Sequence, residues 1–189
     1  SGISTLSVAR KGRPMHYGRI LAIVGVVIGA VGLFLKKASS DAEQFLGALN
    51  EANPAIPSSL DENTWTALYN DTAAAAIVFA IAAVAVVIVA VMPPLPAAMK
   101  RLYALAVTVL GVVMLIVGVF ATLGAGDDAD TLEAGLAQAA GAGAIPEAYA
   151  VNIGWGWYLL IIAGVVVAIG GVVSLIARPD EDALSSDDG

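Results

Sequence analysis

The sequence predicts an all-α membrane protein: a four-transmembrane-helix bundle built as two duplicated helical hairpins, with short helices in the outer loops. Three observations predict it. Four apolar runs, at about 18–35, 73–92, 102–123 and 153–177, are each long enough to cross a hydrocarbon layer of about 30 Å, which takes a helix of about 20 residues. Their interiors carry no ionisable side chain, so no charge has to be carried into lipid. Of the 189 residues 59% are apolar, well above the balance of a soluble domain, which makes the bilayer the solvent for most of the surface.

Taken in order, residues 1–17 form a basic head, with Arg10, Lys11 and Arg13 ahead of the first span and Arg19 at its mouth. The first run is longer than the apolar core of a signal peptide, and Lys36-Lys37 stands where a small-residue cleavage site belongs, so it reads as a retained span. The outer loop 36–72 holds two sequences with capping-box spacing, Ser40 with Glu43 and Ser59 with Glu62. The first precedes a short helix with Phe45, Leu46 and Leu49 on one face. The second starts a helix near Leu60 that runs through Trp65, Leu68 and Tyr69 into the second span. Met92-Pro93-Pro94-Leu95-Pro96 then makes a stiff connection, because proline fixes φ and cannot continue a helix. In the outer loop 124–152, Leu132, Leu136 and Ala139 repeat the helical stripe until Gly141 and Gly143 stop it. Apolar stripes outside the membrane need cover, and packing of the two outer loops on each other is the simplest form of it. Residues 178–189 are an acidic, solvated tail. The transmembrane domain is thus 18–177.

The net charge of −7 is unevenly spread. Basic residues lie before span one, between spans two and three (Lys100, Arg101) and after span four (Arg178). The outer loops carry Asp41, Glu43, Glu51, Asp61, Glu62 and Asp71, and then Asp127, Asp128, Asp130, Glu133 and Glu147. The positive-inside rule therefore puts both termini in the cytoplasm and both acidic loops outside. Lys36 and Lys37 oppose the pattern and are expected to snorkel at the outer boundary. The Ala, Val, Gly and Asp bias points to a GC-rich bacterial genome, hence to a bacterial plasma membrane.

Setting Arg19 against Arg101 aligns Ala22 with Ala104, Val27 with Val109, Gly29 with Gly111, Val31 with Val113 and Leu33 with Leu115. Asp41-Ala42-Glu43 then matches Asp128-Ala129-Asp130, Ile56-Pro57 matches Ile145-Pro146, and each second span ends before a proline, Pro93 or Pro179. Two crossings per copy return the second copy in the same orientation, so an axis along the membrane normal would relate the halves.

Groups that carry chemistry are scarce. Absence of Cys removes thiol catalysis, disulfides and thiolate metal sites. His16 is the lone histidine and reads as a headgroup-level residue, so a bis-histidine haem is excluded on this chain. Thr108, Thr122 and Ser174 are the main polar groups of the spans, and their hydroxyls can bond the preceding helical turn. Asp127, Asp128 and Asp130 lack the spacing of a calcium loop and read as helix-capping or solvated acids. Asn70-Asp71-Thr72 matches a glycosylation sequon but abuts a span. No nucleotide-binding fingerprint is present and no nucleic acid is expected. The reading is therefore no enzyme, no cofactor and no metal.

The positive signal is for packing. Gly25, Gly29 and Gly32 in span one, Ala80 and Ala83 in span two, and Gly164, Ala168, Gly170 and Gly171 in span four make small-residue faces that let helices approach closely, within the bundle or against another subunit. Trp65, Tyr69, Trp155, Trp157 and Tyr158 are placed to anchor at the outer membrane interface. In size, four-span topology, Ala/Val/Gly helices and Asp-rich outer loops the chain resembles the small accessory subunits of actinobacterial respiratory supercomplexes, in which cytochrome bcc and cytochrome c oxidase associate. That resemblance implies that haem, copper and quinol sites belong to neighbouring chains, and that this one packs against and stabilises them. Its expected partners are other integral membrane subunits and lipids. The competing expectations are a small oligomeric channel or transporter, with a polar cavity around Thr108 or Ser174, and an envelope or signalling tetraspan whose acidic loops bind an external ligand.

Overall fold

A computed structural model describes residues 15–93, 95 and 97–177. The basic head with Arg10, Lys11 and Arg13, the prolines at 94 and 96, and the tail from Arg178, including Pro179, lie outside the described residues. The elements are α1 (Tyr17–Phe34), β1 (Ala38–Ser39), α2 (Glu43–Ala52), α3 (Thr64–Val91), α4 (Arg101–Gly141), β2 (Asn152–Ile153) and α5 (Trp155–Ile176). Four of them, α1, α3, α4 and α5, are long and apolar enough to cross a membrane.

α5 is the centre of the bundle. It packs most extensively against α1 and α4, whereas α3 makes lighter contacts with α1 and α4. Glycine explains the difference. A Cβ on Gly164 of α5 would stand 2.6 Å from Leu115 Cα, and one on Gly111 of α4 would stand 2.7 Å from Ala168 Cα, so these two helices touch backbone to backbone. On the other flank, Cβ atoms on Gly25 and Gly170 would fall 2.9 Å from Val167 N and 2.7 Å from Ala22 N. α3 instead offers Leu68, Ala76, Phe79, Ala82, Val86 and Ala90 to the core, and the larger of these side chains hold it farther off. The two halves are therefore not packed equivalently: Gly29 and its sequence counterpart Gly111 both face α5. Large apolar side chains such as Val27, Ile81, Val109, Ile116, Ile162 and Ile169 point outward, as lipid-facing surface requires.

Two helices run past the spans. α3 starts at Thr64, capped by Asn63, whose side chain accepts from Thr66 N at 2.8 Å. This is later than the expected start near Leu60, because Ser59 Oγ is taken by the Asp61 amide at 3.0 Å in a turn of its own. Within α3 the helix breaks at Thr72 (φ −142°, ψ 80°), where the apolar run begins. Asn70, Asp71 and Thr72 are residues whose side chains compete for local hydrogen bonds, and Thr72 Oγ1 donates to Asp71 Oδ2 at 3.1 Å. α4 continues unbroken through Gly124 and Gly126 for 41 residues, about 60 Å at the rise of a helix, which is about twice the length that crossing a hydrocarbon layer takes. It ends where the glycines predicted: Gly143 has φ +77°, and Gly143 N and Ala144 N donate to Ala140 O and Ala139 O, the paired bonds of a Schellman cap. The expected Ser40–Glu43 capping box is not formed. Ser40 Oγ accepts from Ala42 N and donates to Ala150 O, joining the two outer loops.

Those loops form a cap with its own core. Leu46 and Leu49 of α2, Ile56 and Leu60 of the following loop, and Leu136 and Ile145 are buried together, with Phe45 against Tyr149 at 5.7 Å between ring centres. The amphipathic stripes of the two loops thus cover each other.

Candidate functional site: a cavity beneath the outer cap

Besides the continuous α4, the cap is tied to the bundle through an extended segment, 35–39. Leu35 O accepts from Thr64 N at 2.8 Å and from Thr64 Oγ1 at 3.0 Å, Lys37 N donates to Glu62 O, and Lys37 O accepts from Gly154 N at 2.7 Å. β1 pairs antiparallel with β2, Ala38 opposite Ile153 and Ser39 opposite Asn152. Lys36 and Lys37, the two cations on the acidic side, form ion pairs with Asp61 and Glu62. The Asp61 carboxylate holds the Lys36 ammonium above its ordinary value, mainly through their hydrogen bond, and Lys36 in turn holds Asp61 below its own. Neutralisation by adjacent acids, rather than snorkelling alone, is how these lysines are accommodated.

At the other end of the bundle Arg19 has a role that its place in a basic segment concealed. It is 2% exposed, and its guanidinium donates to Ala90 O, Met92 O and Ala97 O at 2.7–2.8 Å. These are the carbonyls that a helix C-terminus and a proline-rich connection leave without backbone donors, so Arg19 closes the end of α3 and fastens the 92–100 connector to α1. His16 caps α1, its Nδ1 accepting from Gly18 N. Thr108 and Thr122 bond Ala104 O and Gly118 O one turn back, Thr122 Oγ1 also reaching Trp157 O of α5 at 3.3 Å, whereas buried Ser174 Oγ points at Gly18 and has no partner among the described residues.

The sequence-named packing residues fall on helix contacts within the bundle: Gly25, Gly29 and Gly32 against α5, Gly164 and Ala168 against α4, Gly170 against α1, and Gly171 against Thr108 of α4. Ala83 packs partly buried on the core and Ala80 is half-buried; the deepest small residues of α3 are Ala76, Ala82 and Ala90. Among the aromatics, Trp155 (75% exposed), Tyr158 and Tyr69 face outward, and Trp65 is partly buried against the core. Trp157 departs from the anchor role. It is 5% exposed, and its Nε1 donates to Lys37 O at 2.8 Å, because α5 turns this side chain inward beneath segment 35–39.

Trp157 also helps to wall a cavity of about 620 Å³ between the cap and the bundle. Its sides are α3 before the break (Ala67, Leu68, Asn70, Asp71), one face of α4 (Ala121, Ala125, Asp128, Ala129, Leu132) and the loop 53–62 with Ile56, Leu60 and Glu62. The volume is that of a small-molecule site. Glu62 is engaged, accepting from Lys37 Nζ and from Asn70 Nδ2. Asp71 and Asp128 have no ion-pair partner among the described residues. No cluster of three potential metal ligands occurs among the described residues, since the α4 helix turns Asp127 and Asp130 away from this wall while Asp128 lines it. The cavity has no local sequence signature: its walls come from residues 37–38, 53–71, α4 and the stretch from Val151 to Trp157, and what was legible was only the excess of acid in the two loops. Comparison with protein-family models, with curated proteins and with solved structures gave no match.

Proposed function

We propose that this chain is a non-catalytic accessory subunit of a larger bacterial plasma-membrane complex, of the respiratory supercomplex kind that its sequence resembles. The observation that carries the reading is the bundle interior. Helices in backbone contact at Gly111, Gly164, Gly170 and Gly171 leave no room for a water column between α5 and its two main neighbours, Thr108 is turned back onto its own helix, and Thr122 is shared between Gly118 O and Trp157 O of α5. What remains available is the lipid-facing apolar surface and the cap, which suits adhesion to other membrane chains better than passage through this one. In this reading both termini are cytoplasmic, the cap is external, the two hairpins descend from one duplicated unit, and redox groups belong to the partners.

Extraction in a gentle non-ionic detergent, followed by size separation and mass spectrometry of co-eluting chains, tests it. The expected result is co-elution with other integral membrane subunits in fixed proportion. Isolation as a lone, monodisperse protein would overturn it, and ion or solute flux through liposomes holding the pure chain would favour the transporter reading.

A further inference from the structure

The cavity beneath the cap combines an apolar wall with an acidic edge. Its inner wall is apolar, with Leu68, Ala125, Leu132 and an edge of Trp157, and its polar edge carries the carboxylates of Asp71 and Asp128. Lys37, the cation that lines it, is already held by Glu62, so the charge left over is negative. The break at Thr72 falls directly behind Asp71, and non-helical backbone near membrane depth is tolerated where it borders a cavity rather than lipid. Gly124 keeps α4 bare opposite Asp71: a Cβ there would only just reach Asp71 Oδ2, at 4.0 Å.

From these features we infer that the cavity binds an amphipathic organic cation, with an ammonium group between Asp71 and Asp128 and an apolar body against Leu68, Ala125, Leu132 and Trp157. Charge complementarity selects the ammonium, and the volume and apolar wall select a body of drug-like size over a bare metal ion or a polyamine. The site is independent of the subunit reading, since it lies within one chain.

The test uses the full chain in dodecyl maltoside, which carries no ammonium of its own, and dansylcadaverine as probe. Tryptophan-to-dansyl energy transfer from Trp65, Trp155 and Trp157 reports binding at this end of the bundle. Saturable transfer is expected for the probe and not for its uncharged N-acetyl derivative. Asp71→Asn and Asp128→Asn should each weaken binding about threefold or more and together about tenfold, whereas Asp127→Asn and Asp130→Asn should stay within about twofold. Ala125→Leu, which fills the apolar wall, should also lose the probe while thermal unfolding shows the fold intact. Displacement by lysophosphatidylethanolamine would identify a lipid headgroup as the source of the ammonium, and displacement by phenethylamine alone would identify a soluble amine. Equal binding of the N-acetyl derivative, or binding unchanged in the Asp71/Asp128 double variant, would overturn the proposal.

Discussion

Gly164→Ala is the sharpest probe of how the bundle is held together. A methyl there would stand 2.6 Å from Leu115 Cα and must retreat to the 3.4 Å of ordinary contact, so α4 and α5 have to part by roughly 0.8 Å or more at that level. The obstacle is backbone on both sides, which no rotamer change relieves. A radial gap of that size forfeits a quarter to a half of the dispersion well for each atom pair across the opened stretch, which places the cost near the upper end of the overpacking range, about 3 kcal/mol. The helix-propensity gain of alanine over glycine, about 1 kcal/mol, offsets only part of it. Gly126→Ala on α4 is the internal control, because nothing lies within 4 Å of its Cβ position and only the propensity gain applies. Gly29→Ala should fall between, since its Cβ would meet the Phe79 ring at 3.2 Å, which can turn aside, and the Ala163 methyl at 3.1 Å, which moves only with its backbone but needs to yield only a few tenths of an ångström. Unfolding by sodium dodecyl sulfate titrated into dodecyl maltoside micelles, followed by far-ultraviolet circular dichroism, ranks the three. If Gly164→Ala proved as stable as Gly126→Ala, the claim that backbone contact between α4 and α5 organises the bundle would be wrong.

Other outcomes follow from particular contacts. Arg19→Leu removes the donors to Ala90 O, Met92 O and Ala97 O and should cost about 2–4 kcal/mol, with proteolysis appearing in the 92–100 connector; Arg19→Lys, a single point donor, should recover part of this. Trp157→Phe loses the bond to Lys37 O and should cost about 1 kcal/mol, while Trp155→Phe at the exposed neighbour costs under about 0.5 kcal/mol, measured in the same titration. The Lys36–Asp61 pair gives a pH dependence of known sign. Asp61 is depressed, so its contribution is present above its ordinary value of 3.8 and is lost as pH falls below that. Lys36 is raised, so its contribution is present below 10.5 and is lost as pH climbs beyond that value. Both groups are exposed, so the effect should be small, salt-sensitive and absent in Asp61→Asn. Since the chain has no cysteine, single cysteines at Ala142 and at Lys100 report sidedness: a membrane-impermeant maleimide added to intact cells should label the first and spare the second.

The spans were legible because uninterrupted apolar runs are a strong local signal, and the cap helices because Phe45, Leu46 and Leu49, and later Leu132, Leu136 and Ala139, recur at helical spacing. What escaped the sequence was continuity. Gly124, Gly126 and the acids at 127, 128 and 130 look like a loop, yet α4 passes through them, because Leu132 and Leu136 are held in the cap and fix the same helix axis. Arg19 was indistinguishable from a topological charge, since its worth lies in carbonyls more than seventy residues away. Trp157 carried the composition of an interface anchor and the helical phase of a core residue, and phase decided. The cavity was invisible because its walls meet only through the fold, residues 53–71 standing opposite α4 and Trp157 of α5.

The uninterrupted length of α4 has a mechanical consequence. A stiff rod of about 60 Å, about twice the thickness of a hydrocarbon layer and held in the cap at its distal end, would behave as a lever once its apolar half is seated in lipid. Tilting it by about 10° to suit a thinner bilayer swings its distal end by roughly 5 Å, and the cap must travel with it. Bilayer thickness would thereby be transcribed into the height and inclination of the cap.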